Sequence, residues 1–430
     1  MAVTARKLEG AEALLAVWPA PVGEASWARS AREKAAARLM AMGAPVRRDE
    51  YWRFTDPTSL LVQPPKPAPV YDAIEKPPFG DVDRLRIVFV DGVYDPDQSD
   101  PLELAGVEIQ TLAQVVGTDI HWARDLFGVL ETRGQDPVDR PLAALNTARA
   151  TEGIVINVTG QAARPVSFIY RHASETGEAM VRHLIRMAPG SDLTLLENGA
   201  AAARFNSVLE IEVADNASFH HVRTQGRAHD RRAATAIFAR LGKESSFKSF
   251  TMTANGRLTR NECVIEFTGD DAHARVAGAS IGEADFLHDD TVFITHDAVN
   301  CESRQVFKKV LRSGATGVFQ GKILVKPGAQ KTDGYQISQG LLLDDDSNFL
   351  AKPELEIYAD DVACSHGSTC GAVDETSLFY LTSRGLPRAE AEGLLVLAFL
   401  DEAIQEIEDP VLADDMRERL GAWLARRGRL

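Results

Sequence analysis

A mainly β chain with helical ends is what this sequence predicts, its centre a stack of short parallel strands wound as a β-helix. Three observations carry the prediction. β-rich runs of three to six residues recur from about residue 150 to 325, punctuated by Asn-Gly, Asp-Asn and Gly-Asp pairs. A corner pattern of turn residue, small residue, any residue and apolar residue returns at Gly190-Ser-Asp-Leu, Asn216-Ala-Ser-Phe, Glu244-Ser-Ser-Phe and Asp271-Ala-His-Ala, at spacings of 26, 28 and 27 residues. Long helical periodicity is confined to the two ends. Periods of this size signal stacked units that bury a core only by stacking. A pair of multi-stranded β-sandwiches is the competing reading on periodicity.

Residues 1 to about 62 read as helical. Ser26 is placed to cap a run rich in Ala, Arg, Glu and Lys that continues to Met42, Gly43 follows at the C′ position, and Pro45 blocks continuation. An aromatic cluster, Tyr51-Trp-Arg-Phe-Thr-Asp, comes next. Six of the twenty prolines then fall between Pro64 and Pro78, removing backbone donors and holding the chain extended. This reads as a linker, with an N-terminal helical region over 1–80.

The core is expected over 81–375. Arg86-Ile-Val-Phe-Val-Asp-Gly-Val-Tyr is a β-rich run broken by a hairpin-type Asp-Gly turn. The strands expected after it are Ile154–Val158, Val166–Tyr170, Leu193–Leu196, Val208–Val213, Phe219–Val222, Val264–Phe267, Val292–Thr295 and Ile323–Val325, mostly four or five residues each. After Asp271 the repeat loses register, with Gly314-Ala-Thr-Gly as a candidate return.

Residues 376–430 turn helical again. Pro387 is an N1-type proline, and a helix from Arg388 to about Glu408 carries apolar residues at 391, 394, 395, 398, 399, 404 and 407. Pro410 ends it. A second helix over Val411–Arg427 puts Leu412, Met416, Leu420, Trp423 and Leu424 on one face. Such stripes pack against their own domain or serve a partner.

The chain has 430 residues with 47 basic against 62 acidic side chains, a formal net charge of −15. Phosphate contacts need clustered Lys and Arg, so nucleic acid and acidic membrane surfaces are poor partners. The longest apolar stretch, Gly393–Leu400, falls well short of the ~20 residues that span a bilayer. Met1-Ala-Val-Thr-Ala-Arg-Lys has no apolar run behind it and is no signal peptide. Four scattered cysteines make no disulfide framework, and a cytoplasmic setting is expected.

Chemistry-bearing residues are few. Gly242-Lys-Glu and Gly321-Lys-Ile lack the glycine spacing and the Ser or Thr of a P-loop, and there is no Gly-x-Ser-x-Gly elbow or His-Glu-x-x-His. The one compact constellation is Cys364-Ser-His366, with Cys370 four residues beyond. Residues i and i+2 of a strand share a face, so the Cys364 thiol and the His366 imidazole would lie side by side, a donor pair suited to iron, zinc or copper. Two ligands do not close a coordination sphere. The bland alternative is a buried thiol beside a hydrogen-bonded histidine. Asp344-Asp-Asp and Asp360-Asp could serve a polysaccharide-active β-helix enzyme, though runs of Asp are usually turns and caps. His220-His221 would point to opposite faces of a strand and share no metal. Cys263, Cys301 and Cys370 receive no role.

Two blocks carry a family resemblance. They are Lys331-Thr-Asp-Gly-Tyr-Gln-Ile-Ser-Gln-Gly-Leu-Leu-Leu and Lys352-Pro-Glu-Leu-Glu-Ile-Tyr-Ala-Asp-Asp-Val-Ala-Cys-Ser-His-Gly-Ser-Thr. With Phe379-Tyr-Leu-Thr-Ser-Arg-Gly-Leu, Pro141-Leu-Ala-Ala-Leu-Asn-Thr-Ala and Val88-Phe-Val-Asp-Gly-Val-Tyr, the chain resembles the SufB/SufD family of iron–sulfur cluster assembly proteins. Tyr51-Trp-Arg-Phe-Thr and the short N-terminal region are similar to the SufD branch. The resemblance implies a right-handed parallel β-helix core flanked by N-terminal and C-terminal helical domains, and a non-catalytic scaffold role. It implies pairing with a SufB-like homologue through the β-helices and docking of a SufC-like ATPase on the C-terminal helical domain. A transient iron–sulfur cluster would sit at the shared interface, with His366 as a ligand and Cys364 at the family's neighbouring cysteine position. Sulfur would come indirectly from a cysteine desulfurase system. Reduced flavin on the complex and a homodimer of the isolated chain are left open.

Overall fold

The computed structural model describes residues 4–70, 77–133, 135, 138–199, 201–226 and 230–427. The chain opens with helices Ala5–Val17 and Ser26–Met42. The second stops at Gly43, whose φ of 72° only glycine adopts freely and whose N–H bonds the Leu39 carbonyl at 2.7 Å. Ala25, not Ser26, holds the cap position, and Ser26 is the first helical residue. A short turn Glu50–Trp52 and a helix Thr58–Leu61 follow. Residues 64–70 carry no helix or strand, and Ala68 is fully buried with its N–H on the Glu175 carbonyl at 2.8 Å. The rest of the proline-rich stretch up to Pro77, residues 71–76, lies outside the described residues.

Leu85–Val90 and Val93–Asp95 form the antiparallel hairpin that Asp91-Gly92 predicts. From there the chain winds as a β-solenoid of about seven turns. Each turn adds one strand to each of two sheets. The first sheet runs, after the hairpin, through Val166–Arg171, Asp192–Gly199, Ser218–Gly226, Ser246–Ala254, His273–Glu283, Glu302–Arg312 and Thr332–Leu342 to Val362–Gly371. The second runs from Ile154–Val158 through Glu178–Met187, Arg204–Val213, Arg232–Leu241, Leu258–Phe267, Leu287–His296 and Thr316–Val325 to Asn348–Ile357. The pairs between these strands are parallel, as stacked coils require.

The corners explain the repeat. Gly190, Asn216, Glu244, Asp271, Asn300 and Lys331 all have left-handed backbones, with φ between 53° and 70°. The residue after each, Ser191, Ala217, Ser245, Ala272, Cys301 and Thr332, is buried, so only a small side chain fits. Corner amides bond corner to corner: Asn216 N–H to Lys243 O at 2.8 Å, Glu244 N–H to Asp270 O at 2.8 Å, Asn300 N–H to Gln330 O at 2.9 Å. The repeat therefore continues through Asn300 and Lys331. Gly314 belongs to the opposite corner, with Asn255, Ala284 and Ser313, and is no return of the same register.

Most strands after the first two coils hold eight to eleven residues, about twice the expected length. Both sheets are covered on both faces except at the last coil, whose strands Asn348–Ile357 and Val362–Gly371 hold no buried residue. Phe219, Phe247, Ile237, Phe267 and their neighbours fill the space between the sheets. Ala28, Leu112, Val115, Phe127, Leu130 and Ala143 cover the outer face of the second sheet over Val208, Phe238 and Phe293. Helices Arg388–Ile404 and Pro410–Arg427 cover the first sheet, setting Val396, Leu400, Ile404, Leu412, Met416 and Leu420 on Val222, Phe250, Ala277 and Val310. The C-terminal stripes thus pack against their own solenoid, shifted from the expected register: Leu394 is exposed and Val396 buried.

Candidate functional site

Cys364 and His366 lie in Val362–Gly371, which pairs with Thr332–Leu342 on one side and ends the first sheet. Parallel pairing without slippage makes each position the end of a ladder. Cys364 continues Leu193, Phe219, Phe247, Ala274, Ser303 and Gly334. His366 continues Leu195, His221, Ser249, Val276, Gln305 and Gln336 along the same face. The five ladder members from His221 to Gln336 are buried inside the solenoid, and His366 is exposed. Its ladder simply runs out of coils.

Cys364 is half-buried and packs with Ile323, Val325, Leu355, Ala359 and Val362. Gly334 makes room for it: a Cβ there would stand 3.2 Å from the sulfur. Burial pushes the Cys364 thiol above its ordinary value. It therefore stays protonated at neutral pH until a cation or a partner's charge draws the proton off. Among the described residues no hydrogen bond reaches the His366 ring, which leaves both ring nitrogens free for a metal or a proton. Ser368 and the exposed Cys370 lie further along the same face, Ser368 bonded to the Ser338 hydroxyl at 2.8 Å.

Among the described residues no group of three or more His, Cys, Asp or Glu side chains is placed to hold a metal ion. The pair is two donors at an open end. A second molecule can complete the set, and a bound ion can leave with it.

The remaining candidates separate from this end. Cys263 is buried between the sheets with its thiol pushed up to about 12 by burial. Cys301 occupies a corner, pushed up to about 11, its sulfur 3.4 Å from Gly269 O. Both are inert at neutral pH. His221 faces the interior beside Glu197, whereas His220 is its outward-facing neighbour, near Glu408. Asp344 accepts the amides of Ser313 and Ser347, as a turn cap does, and Asp360-Asp361 sit in the exposed turn before the last strand. Nothing here favours a carboxylate pair for glycoside chemistry.

Inspection of the sequence missed the buried charges. Arg182 and Glu210 pair with no exposure, and Lys309 bonds Asp290 at 2.6 Å and His288 Nδ1 at 3.0 Å in the interior. It also missed Gln336, buried beside His366 in register. The available signal was ladder position, since His221, Ser249, Gln305 and Gln336 recur at the solenoid period.

Comparisons with known proteins place the chain in a family. The family model for the SUF system FeS cluster assembly SufBD core domain matches residues 170–399. The Escherichia coli iron–sulfur cluster assembly protein SufD is 26% identical over 413 residues, covering 90% of this chain and 91% of that protein. The Bacillus subtilis SufD is 28% identical over 63% of each chain, and a SufBD family protein of Synechocystis is 26% identical over 90% of this one. The matched core spans more than half the chain and ends beyond the strand that carries Cys364 and His366, so the chain belongs to the SufBD family of iron–sulfur cluster assembly proteins.

Proposed function

We propose that this chain is a SufD-like, non-catalytic scaffold subunit on which an iron–sulfur cluster is built as cargo. It pairs through the open end of its solenoid with a SufB-like homologue, and His366, with Cys364 beside it, supplies this chain's donors at the interface. The observation that supports the reading is the donor pair itself: inward-facing by ladder position, uncovered by any further coil, and too few to hold a metal unaided. An open, under-liganded end suits a cluster that must be handed on, because neutral imidazole holds Fe(II) less firmly than thiolate does.

ATP hydrolysis is assigned to a SufC-like partner docked on the C-terminal helical region, and sulfur to a cysteine desulfurase acting through the complex. The docking face is assigned to helix Glu375–Thr382 and the edge of Arg388–Ile404, where Phe379, Tyr380 and Leu394 are exposed by 73%, 55% and 46%. No helix among the described residues is long and apolar enough to cross a membrane, and the assigned setting is the cytoplasm. The test is reconstitution with the two partners, iron and sulfide. Cluster yield should collapse when His366 is replaced by Ala. Normal yield from that variant would sink the ligand assignment.

A further inference from the structure

The aromatic segment Glu50–Thr55 packs on the outer face of the second sheet, behind the strand Asn348–Ile357 that neighbours the candidate site. We propose that it is a strap that positions the wall of the open coil, acting on Cys364 and His366 through the strand Asn348–Ile357. Reading its target as a cluster site rests on the function proposed above.

The strap is anchored on coils that are already fixed. Thr55 Oγ1 donates to Asp289 Oδ2 at 2.6 Å, and Asp289, fully buried, also receives the Arg260 guanidinium. That guanidinium lies 4.3 Å over the Trp52 ring. Gln320 donates to the Tyr51 carbonyl at 3.2 Å, and the Tyr51 ring meets Phe293 edge-on at 4.9 Å.

From this anchor the strap reaches the last strand of the second sheet. Tyr51 OH donates to Glu354 Oε2 at 3.0 Å. The Lys352 ammonium lies 4.1 Å over the Tyr51 ring and 2.9 Å from Glu50 Oε1. Asn348–Ile357 pairs on one side only, with Thr316–Val325, and none of its residues is buried. A strand in that state has half its backbone bonds and frays unless something else holds it.

The strand passes the hold inward because its side chains alternate. Glu354 faces the strap. Leu355, the next residue, packs in the cluster that contains Cys364. The Glu354 carbonyl accepts from Gln336 Nε2 at 3.4 Å, and Gln336 is the register neighbour of His366. One outward residue is thus tied to both candidate ligands. Tyr51 and Thr55 are positioning residues.

The experiment uses the full chain. Each cysteine's alkylation by iodoacetamide is followed by mass spectrometry under native conditions, in wild type and Tyr51→Phe. Losing the bond to Glu354 should speed alkylation of half-buried Cys364 by about five-fold. Exposed Cys370 should be unchanged, and Cys263 and Cys301 should stay protected. Glu354→Gln keeps an acceptor and should resemble wild type, whereas Glu354→Leu should resemble Tyr51→Phe. An unchanged Cys364 rate overturns the strap, and so does a matching rise at Cys263 and Cys301, which would report general loosening. Fast Cys364 alkylation with normal cluster yield in the reconstituted complex upholds the strap and overturns the cluster-site reading.

Discussion

The exposure of His366 is decided by its neighbours along the ladder rather than by its own strand. The same register position is His221 in an earlier coil, fully buried and hydrogen-bonded to Ser249 at 2.9 Å. Two histidines on one ladder therefore have opposite surroundings. His366→Ala removes an exposed ring with no hydrogen bond among the described residues, so stability should change by no more than about 0.5 kcal/mol while cluster yield collapses. Thermal melting and iron and sulfide content of one preparation test both halves. A clear fall in melting temperature with normal yield would make His366 structural instead. Cys364 adds a pH signature. Its thiol lies above the ordinary value because burial disfavours the thiolate, so its alkylation rate should keep climbing with pH beyond the ordinary cysteine value of about 8.5. A Cys364 rate that levels off at that ordinary value would contradict the burial.

At the scale of the element, the corner is the unit that the sequence displays most clearly. A turn residue followed by a small buried one is forced by the left-handed backbone and the tight inner bend, so four corners were legible as a repeat. Strand length was not, because in His273–Glu283 or Thr332–Leu342 the Ala, Gly, Ser and Gln that face the interior look like loop or helix residues. The candidate site was legible only in part: Cys364 and His366 stand two apart on a strand, but Gln336 stands beside His366 through strand pairing and Tyr51 bonds Glu354 on the facing sheet, contacts that no local pattern reveals. Corners also predict where stability is held back. Glu244 has φ 53°, a conformation that costs a non-glycine L residue about 1–2 kcal/mol. Glu244→Gly should therefore raise the melting temperature, and a fall would mean that the Glu244 side chain contributes more than its backbone strain costs. The buried histidines act in the other direction. Burial lowers His183 to about 4 and His296 to about 3. A depressed histidine keeps its full contribution above its unfolded value near 6.5 and loses it as pH falls toward the folded one. Each should cost about 3 kcal/mol by pH 4, so chemical denaturation should show stability dropping steeply below pH ~6.5. A flat profile from pH 7 to 4 would show that these rings are solvated.

On the scale of the whole molecule, the solenoid is a slab with helices on both broad faces and an uncovered last coil. That geometry changes what the proposed divisions at about residues 80 and 375 mean experimentally. Removing 1–80 would strip Trp52 from Arg260 and uncover Phe293, so loss of the N-terminal region should lower the unfolding midpoint rather than leave the β-helix untouched. Removing the residues after Asp374 would be harsher, because Val222, Phe250, Ala277 and Val310 would face water, and the Lys248–Glu408 and Lys308–Glu402 ion pairs would be lost. At ~25 cal/mol per Å² of apolar surface, exposing a whole sheet face is enough to unfold a marginally stable chain. A truncated protein that failed to bind an ATPase would therefore say nothing about where the ATPase docks. Phe379 and Tyr380 avoid that confusion, since both are mostly exposed. Replacing both by Ser should leave melting within about 0.5 kcal/mol of wild type. Capture of the ATPase should fall at least about ten-fold if these rings are the aromatic anchors of the interface. Undiminished capture by a fully folded double variant would move the docking face off this helix, and the buried stripes of the last two helices could not replace it, because they are already spent on the solenoid.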